Sequence, residues 1–200
     1  MEQPDTTSAI QSVLTFWFGD PATDDVSYSD RKKLWFRKDA AVDAEIRDRF
    51  FDLYERARQG QLDEWQATRA GRLALVIVCD QFPRNMFRGD AKAFATDSLA
   101  RKLAQEAIAL GDNQALPPEQ QFFLYLPLEH SENLDDQHQC VELFRALAET
   151  HSDLTDTYDY ALKHRDVIAR FGRFPHRNQS LGRTSTPEEI EFLQQPGSSF

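Results

Sequence analysis

Between residues 42 and 57, Val42, Ile46, Phe50, Leu53 and Ala57 recur at offsets of 4, 8, 11 and 15, tracing one face of an amphipathic helix. This periodicity constrains the chain more than any other feature, because it returns in nearly every segment. Asp43–Arg47, Glu45–Arg49 and Asp52–Arg56 place acids four residues before bases, a spacing that supports a helix, and Gly60 is the expected stop. Thr96 or Asp97 can cap a helix through Leu99, Leu103, Ala107 and Leu110, ended by Gly111. Asn133 or Asp135 can open another, with Cys140, Val141, Phe144, Leu147 and Ala148 inward. Asp153 can open the next, carrying Tyr160, His164, Ile168 and Phe171 to a stop at Gly172. In "TPEE" (186–189) a Thr cap, a first-turn Pro and a Glu three residues on make a capping box. No segment alternates with period two, and no Asn-Gly or Asp-Gly hairpin turn occurs.

The expected fold is therefore all-α, about eight helices in antiparallel hairpins, without a strict repeat. Two hundred residues suffice for one domain, expected over 1–195, with "PGSSF" (196–200) as a loose tail. Fifteen Phe and three Trp supply the core and argue against disorder. A net charge of −10 disfavours nucleic-acid or anionic-membrane binding, since phosphate affinity comes from Lys and Arg. The opening "MEQPDTTSAI" lacks the basic and apolar regions of a secretory signal. The apolar runs "LALVIVC" and "FFLYLPL" are too short to span a bilayer. Cys79 and Cys140 lie in apolar helical stretches and read as buried free thiols, and the chain reads as cytoplasmic.

Ionisable groups interrupt three of the apolar stripes. Asp80 and Arg84 follow Leu73, Val76 and Ile77 on one face, four apart and able to pair, with Pro83 expected to kink or end that helix. Glu129 continues the face of Phe122 and Tyr125, with His130 and Glu132 beside it, and His164 shares its stripe with Ile168. Buried charges need partners, so these groups either brace crossing helices or build a site. "EHSE" (129–132) lacks the histidine pair of a zinc helix and the Glu-x-x-His of di-iron bundles, so no metal ligands are assigned.

Two basic stretches stand out, "RKKLWFRK" (31–38) at +5 and "HRDVIARFGRFPHRN" (164–178) at +3, leaving the rest of the chain at −18. In the first, Trp35 and Phe36 either enter the core or help wall an anion site. The second divides at Gly172: Asp166–Arg170 is expected to pair on the helix, and the Pro175-stiffened loop then presents Arg173, His176, Arg177 and Asn178. The site reading gives proton handling to Asp80, Glu129 and His164, and ligand binding to Arg84, His130, Arg173, His176, Arg177, Asn178 and Trp35. Its ligand is a small anion, a carboxylate or phosphate; the cofactor is unknown. The rival reading is a protein- or peptide-binding helical module with a purely structural polar network.

The motifs "FWFGD", "LWFRKD", "CDQFPRNMFRG", "FFLYLPLEHSE", "HRDVIARFGRFPHRN" and "TPEEIEFL", in that order, span nearly the whole chain. In them the sequence resembles the domain of unknown function 924 family of uncharacterised bacterial proteins. The resemblance implies a tetratricopeptide-repeat-like array of helical hairpins and carries no activity with it.

Overall fold

The computed structural model describes residues 5–20 and 28–199. Residues 1–4 of the opening segment and residue 200 of the tail lie outside that range. Helices dominate, in the order α1 (Thr6–Phe18), α2 (Tyr28–Phe36), α3 (Ala40–Arg58), α4 (Arg69–Val76), α5 (Phe82–Met86), α6 (Asp97–Ala109), α7 (Pro118–Glu129), α8 (Leu134–Thr150), α9 (Thr155–Phe171) and α10 (Pro187–Leu193). No β-strand occurs among the described residues, so the chain is all-α. Contacts divide it into two compact units: unit 1, Met1–Arg88 with Lys92–Leu124, and unit 2, Gly89–Ala91 with Tyr125–Phe200.

Unit 1 is organised by aromatic rings. Trp17 meets Phe82 and Phe123 edge-on at 5.7 and 5.5 Å, and Phe50 stacks on Phe82 at 4.7 Å. Ile46, Phe50 and Ala57 are buried as the α3 stripe predicts, and Tyr54 joins them. Asp39 caps α3 by accepting from the Ala41 and Val42 amides. Glu45–Arg49 pairs as its spacing predicts, but Asp43 instead takes a bidentate bond from Arg88, while Arg47 donates to the Met86 carbonyl. Trp35 is buried against Phe123 at 4.8 Å and its indole N–H donates to the Trp17 carbonyl. Phe36, one residue on, touches Trp35 and Phe122 edge-on at 6.2 and 5.9 Å yet remains 58% exposed.

The effect of Pro83 is local and specific. Between α4 and α5 the backbone stays helical but widens to a π turn over Ile77–Gln81, where the Phe82 N–H reaches back to the Ile77 carbonyl. Pro83 has no N–H for the carbonyl four residues back, that of Cys79. Thr96 supplies the missing donor: its hydroxyl bonds the Cys79 carbonyl at 2.6 Å. Thr96 therefore precedes α6 without capping it through its side chain.

Unit 2 contains the helical hairpin α8–α9. Asn133 caps α8 by accepting from the Asp135 and Asp136 amides, and Gly172 ends α9 at φ 68°, a conformation glycine adopts at little cost. Inside the hairpin lie Cys140, Val141, Phe144, Leu147, Ala161, Val167 and Ile168. Asp153 lies in a short 3₁₀ turn, and α9 opens two residues later. Tyr160 and Leu110, expected inward, are 52% and 66% exposed. The buried face of α9 runs through Thr157, Ala161, His164 and Ile168, leaving Tyr160 at its edge under Lys163, and Leu110 follows the last residue of α6. The predicted capping box at Thr186 is present, with both reciprocal bonds to Glu189 made. Beyond it, Ser198 is buried and its hydroxyl donates to the Leu193 carbonyl.

Candidate functional site

The ionisable groups singled out above fall in both units. In unit 1, Asp80 sits on the π turn at 1% exposure, receiving Gln81 Nε2 at 2.6 Å, with Arg84 Nη2 3.4 Å away. Arg84 also forks onto Asp97 at 2.8 and 3.2 Å and donates to the Asp80 carbonyl at 2.8 Å. Burial by itself would lower the Arg84 pKa, yet Asp80 and Asp97 hold it above its ordinary value. One guanidinium thus ties two carboxylates and a helix carbonyl together. Asp97, the third member, escaped sequence reading because it was assigned only a capping role.

Unit 2 assembles a different chemistry around the Phe174 ring. His164 approaches it edge-on at 5.6 Å, His176 lies 5.5 Å away, and the Arg177 guanidinium stacks over it at 4.5 Å. Helix α9 brings in His164, and the 3₁₀ turn Pro175–Arg177 brings in the other two. Glu129, at the end of α7, places Oε1 3.5 Å from His164 Nδ1. His164 Nδ1 lies 2.9 Å from the Tyr160 carbonyl. A carbonyl can only accept, so the proton of the neutral ring sits on Nδ1 and Nε2 keeps its lone pair. Burial pushes the His164 pKa down to about 3, although the Tyr160 bond opposes it; His130, Arg177 and His176 push the same way as burial. His176 falls to about 4, chiefly by burial and then through Arg177 and His130. His164, Glu129 and Arg177 are buried, whereas His130, His176 and Glu132 are half-buried. A neutral, acceptor-bearing imidazole thus lies within electrostatic reach of half-buried His130 and His176.

The rest of the loop is braced internally. Arg173 forks onto Glu189 at 2.6 and 2.8 Å and also donates to the Thr184 carbonyl. Asn178, 1% exposed, gives Nδ2 to Ser185 and Glu189. Glu189 is held at a pKa of about 2 by the Arg173 bond, against burial, with the Thr186 amide, Arg173's charge and Asn178 adding to it. Glu132 accepts from the Phe174 amide at 2.8 Å and from Arg183 in bidentate fashion. Burial opposes ionisation of Glu132, but Arg183, the Phe174 amide and Arg177 together lower its pKa. Asp166 pairs with Arg165 and Arg170 with Glu188, in place of the expected Asp166–Arg170 pair, because Arg170 lies beside α10. Arg183 was not singled out in the sequence, and Glu189 was read only as the capping-box partner of Thr186. The box could have revealed the brace, since it turns the Glu189 carboxylate back onto the chain.

Among the described residues no group of three or more His, Cys, Asp or Glu is placed to hold a metal ion. No helix there is long and apolar enough to cross a membrane. A shallow open depression of about 590 Å³ lies on unit 1, lined by Thr7, Ser8, Gln11, Ser12, Thr15 and Arg49 with Asp5, and it includes none of the candidate residues.

No curated protein matches the chain. A solved structure of a protein of unknown function, ATU0120 from Agrobacterium tumefaciens, is 39% identical with a TM-score of 0.82, over 96% of this chain and 100% of that one. The family model described as bacterial protein of unknown function (DUF924) matches residues 13–197. With nearly its whole length matched, the chain belongs to the DUF924 family of bacterial proteins.

Proposed function

We propose that the imidazole cluster of unit 2 binds a small anionic molecule, with His164 and Glu129 placed to move a proton on it. One observation carries this reading: His164, His176 and Arg177 converge on the single ring of Phe174, with His130 within electrostatic reach of both imidazoles. Clustered groups with displaced pKa values are how proton-transfer sites are built. The half-exposed His130 and His176 form the entrance, and the buried Arg177 supplies the positive field. Asp80 and Arg84, tied to Asp97 in unit 1, take a bracing role in this reading, and so do Arg173 and Asn178, which serve Glu189. Trp35 belongs to the aromatic core. The buried free thiols Cys79, with its pKa pushed up to about 12 by burial, and Cys140 support a cytoplasmic setting.

The second reading is a peptide-binding array of helical hairpins in which the whole network is a brace. The fork of Arg173 on Glu189 and of Arg183 on Glu132 favours it. A thermal-shift series on the full chain separates the two, using inorganic phosphate and a panel of di- and tricarboxylates. The binding reading expects a rise in Tm that His176→Ala and His130→Ala each abolish while leaving the ligand-free Tm within a few degrees. No shift across the panel, or a shift that both variants retain, overturns it.

A further inference from the structure

The two arginine forks of unit 2 are not alike. Arg173 serves a helix cap, since its carboxylate partner, Glu189, belongs to the box at Thr186. The Glu132–Arg183 pair closes instead on a single residue, Phe174. Glu132 Oε1 accepts from the Phe174 amide at 2.8 Å, and Arg183 Nη2 donates both to that Oε1 and to the Phe174 carbonyl, each at 3.0 Å. Arg183 Nη1 bonds the other carboxylate oxygen at 2.7 Å. Residue 174 is extended, between the end of α9 and the 3₁₀ turn, so its buried amide needs a partner from outside the helices, and Glu132 is that partner. A carboxylate and a guanidinium each present two atoms in one plane, so their fork fixes orientation as well as distance.

The other end of this clamp is held as firmly. Glu132 stands in the turn after α7 that also carries His130 and follows Glu129. Gln137 of α8, fully buried, donates to the Leu128, Glu129 and Ser131 carbonyls at 3.3, 2.7 and 2.7 Å and so gathers that turn. We infer that Glu132 and Arg183 are positioning residues of the imidazole site in unit 2: anchored to the turn of Glu129 and His130, they set where the Phe174 ring stands and, through it, His176 and Arg177. The inference rests on the proposed anion-binding reading of that site. Both residues act through Phe174 rather than on a ligand.

The His176 titration, followed by NMR of the imidazole protons in the ligand-free full chain, tests this. Burial is the main cause of its pKa of about 4; Arg177, His130 and Arg183 lower it further, and Glu132 raises it. Glu132→Ala therefore separates two roles by sign. Loss of a nearby negative charge alone would lower the His176 pKa. Loss of a positioning residue frees Phe174, opens His176 to solvent and raises the pKa toward 6.5, which is the expected result. Arg183→Lys keeps the positive charge but cannot fork, so it too should raise the pKa, where charge alone would leave it in place. That milder variant keeps the test decisive if Glu132→Ala does not fold. A His176 pKa that falls in Glu132→Ala, or stays unmoved in Arg183→Lys, overturns the inference. Because no ligand enters the measurement, the two readings fail separately. A phosphate-induced rise in Tm beside an unmoved His176 would keep the binding and remove the clamp. The expected shifts, in a chain that no anion of the panel stabilises, would keep the clamp and overturn the binding.

Discussion

Asp80 and His164 occupy similar burial, one on the π turn of unit 1 and one on α9 of unit 2, yet their surroundings solve the cost of burial in opposite ways. Asp80 keeps company with a cation: Arg84 reaches it and Asp97 together. His164 sheds its charge instead, held neutral by burial with its Nδ1 proton beside a backbone carbonyl. The Arg84 guanidinium, held above its ordinary pKa by the two carboxylates, serves as a fixed joint. The imidazole centre stays neutral well into the acid range and keeps a lone pair on Nε2, so it acts as an acceptor rather than a charge.

The comparison breaks most visibly at Arg84. Arg84→Met leaves Asp80 buried without its cation and is expected to cost about 3–5 kcal/mol, read as a fall in the urea midpoint. Phe174→Ala removes the ring on which unit 2's site is assembled. It should cost about 3–4 kcal/mol and move the His176 titration up toward 6.5, followed by NMR of the imidazole protons.

Acid should distinguish the two regions without mutation. The folded pKa values of about 3 for His164 and about 4 for His176 lie below the ordinary 6.5. Between 6.5 and about 4 the unfolded chain therefore takes up protons that the folded chain refuses. The stability these rings contribute is complete above pH 6.5 and declines as pH falls, by up to about 1.4 kcal/mol per pH unit for each ring. Hydrogen exchange at pH 7 and pH 5 should show amides of α8 and α9 losing protection before those of α4 and α6, and His164→Gln should flatten the difference. Equal loss in both units would contradict the contrast.

Smaller effects sharpen it. Glu189→Gln weakens both the capping box and the Arg173 fork, and about 2 kcal/mol of destabilisation is expected by thermal melting. Glu45→Ala, at an exposed i,i+4 pair with Arg49, should stay within about 0.5 kcal/mol. An exposed pair that mattered as much as the buried ones would undo the distinction drawn here.

Much of the local structure was legible in the sequence because it depends on neighbours within one or two turns. The α3 stripe, the Asn133 cap, the Gly172 stop and the Thr186–Glu189 box all belong to this class. The i,i+4 pairing of Asp80 with Arg84 does as well. Pairings that depend on chain crossing were not legible. Glu132 finds Arg183 and the Phe174 amide far along the chain, and Arg88 outcompetes Arg47 for Asp43 although Arg47 is one turn away. Exposed helical pairs differ by only tenths of a kcal/mol, so any tertiary neighbour with better geometry displaces them.

By itself, then, the sequence determined that the chain is helical, where several helices begin or end, and that Asp80, Glu129 and His164 face inward. Periodicity and caps act over a few residues and need no knowledge of what lies opposite. Only the tertiary structure decided what each inward group meets: that Thr96 would satisfy the carbonyl stranded by Pro83, that Arg173 would hold Glu189, and that two histidines and an arginine would share one phenylalanine ring. Those partners are remote in sequence, and a buried polar group bonds to whichever neighbour packing delivers, because leaving it unbonded costs more than any local preference.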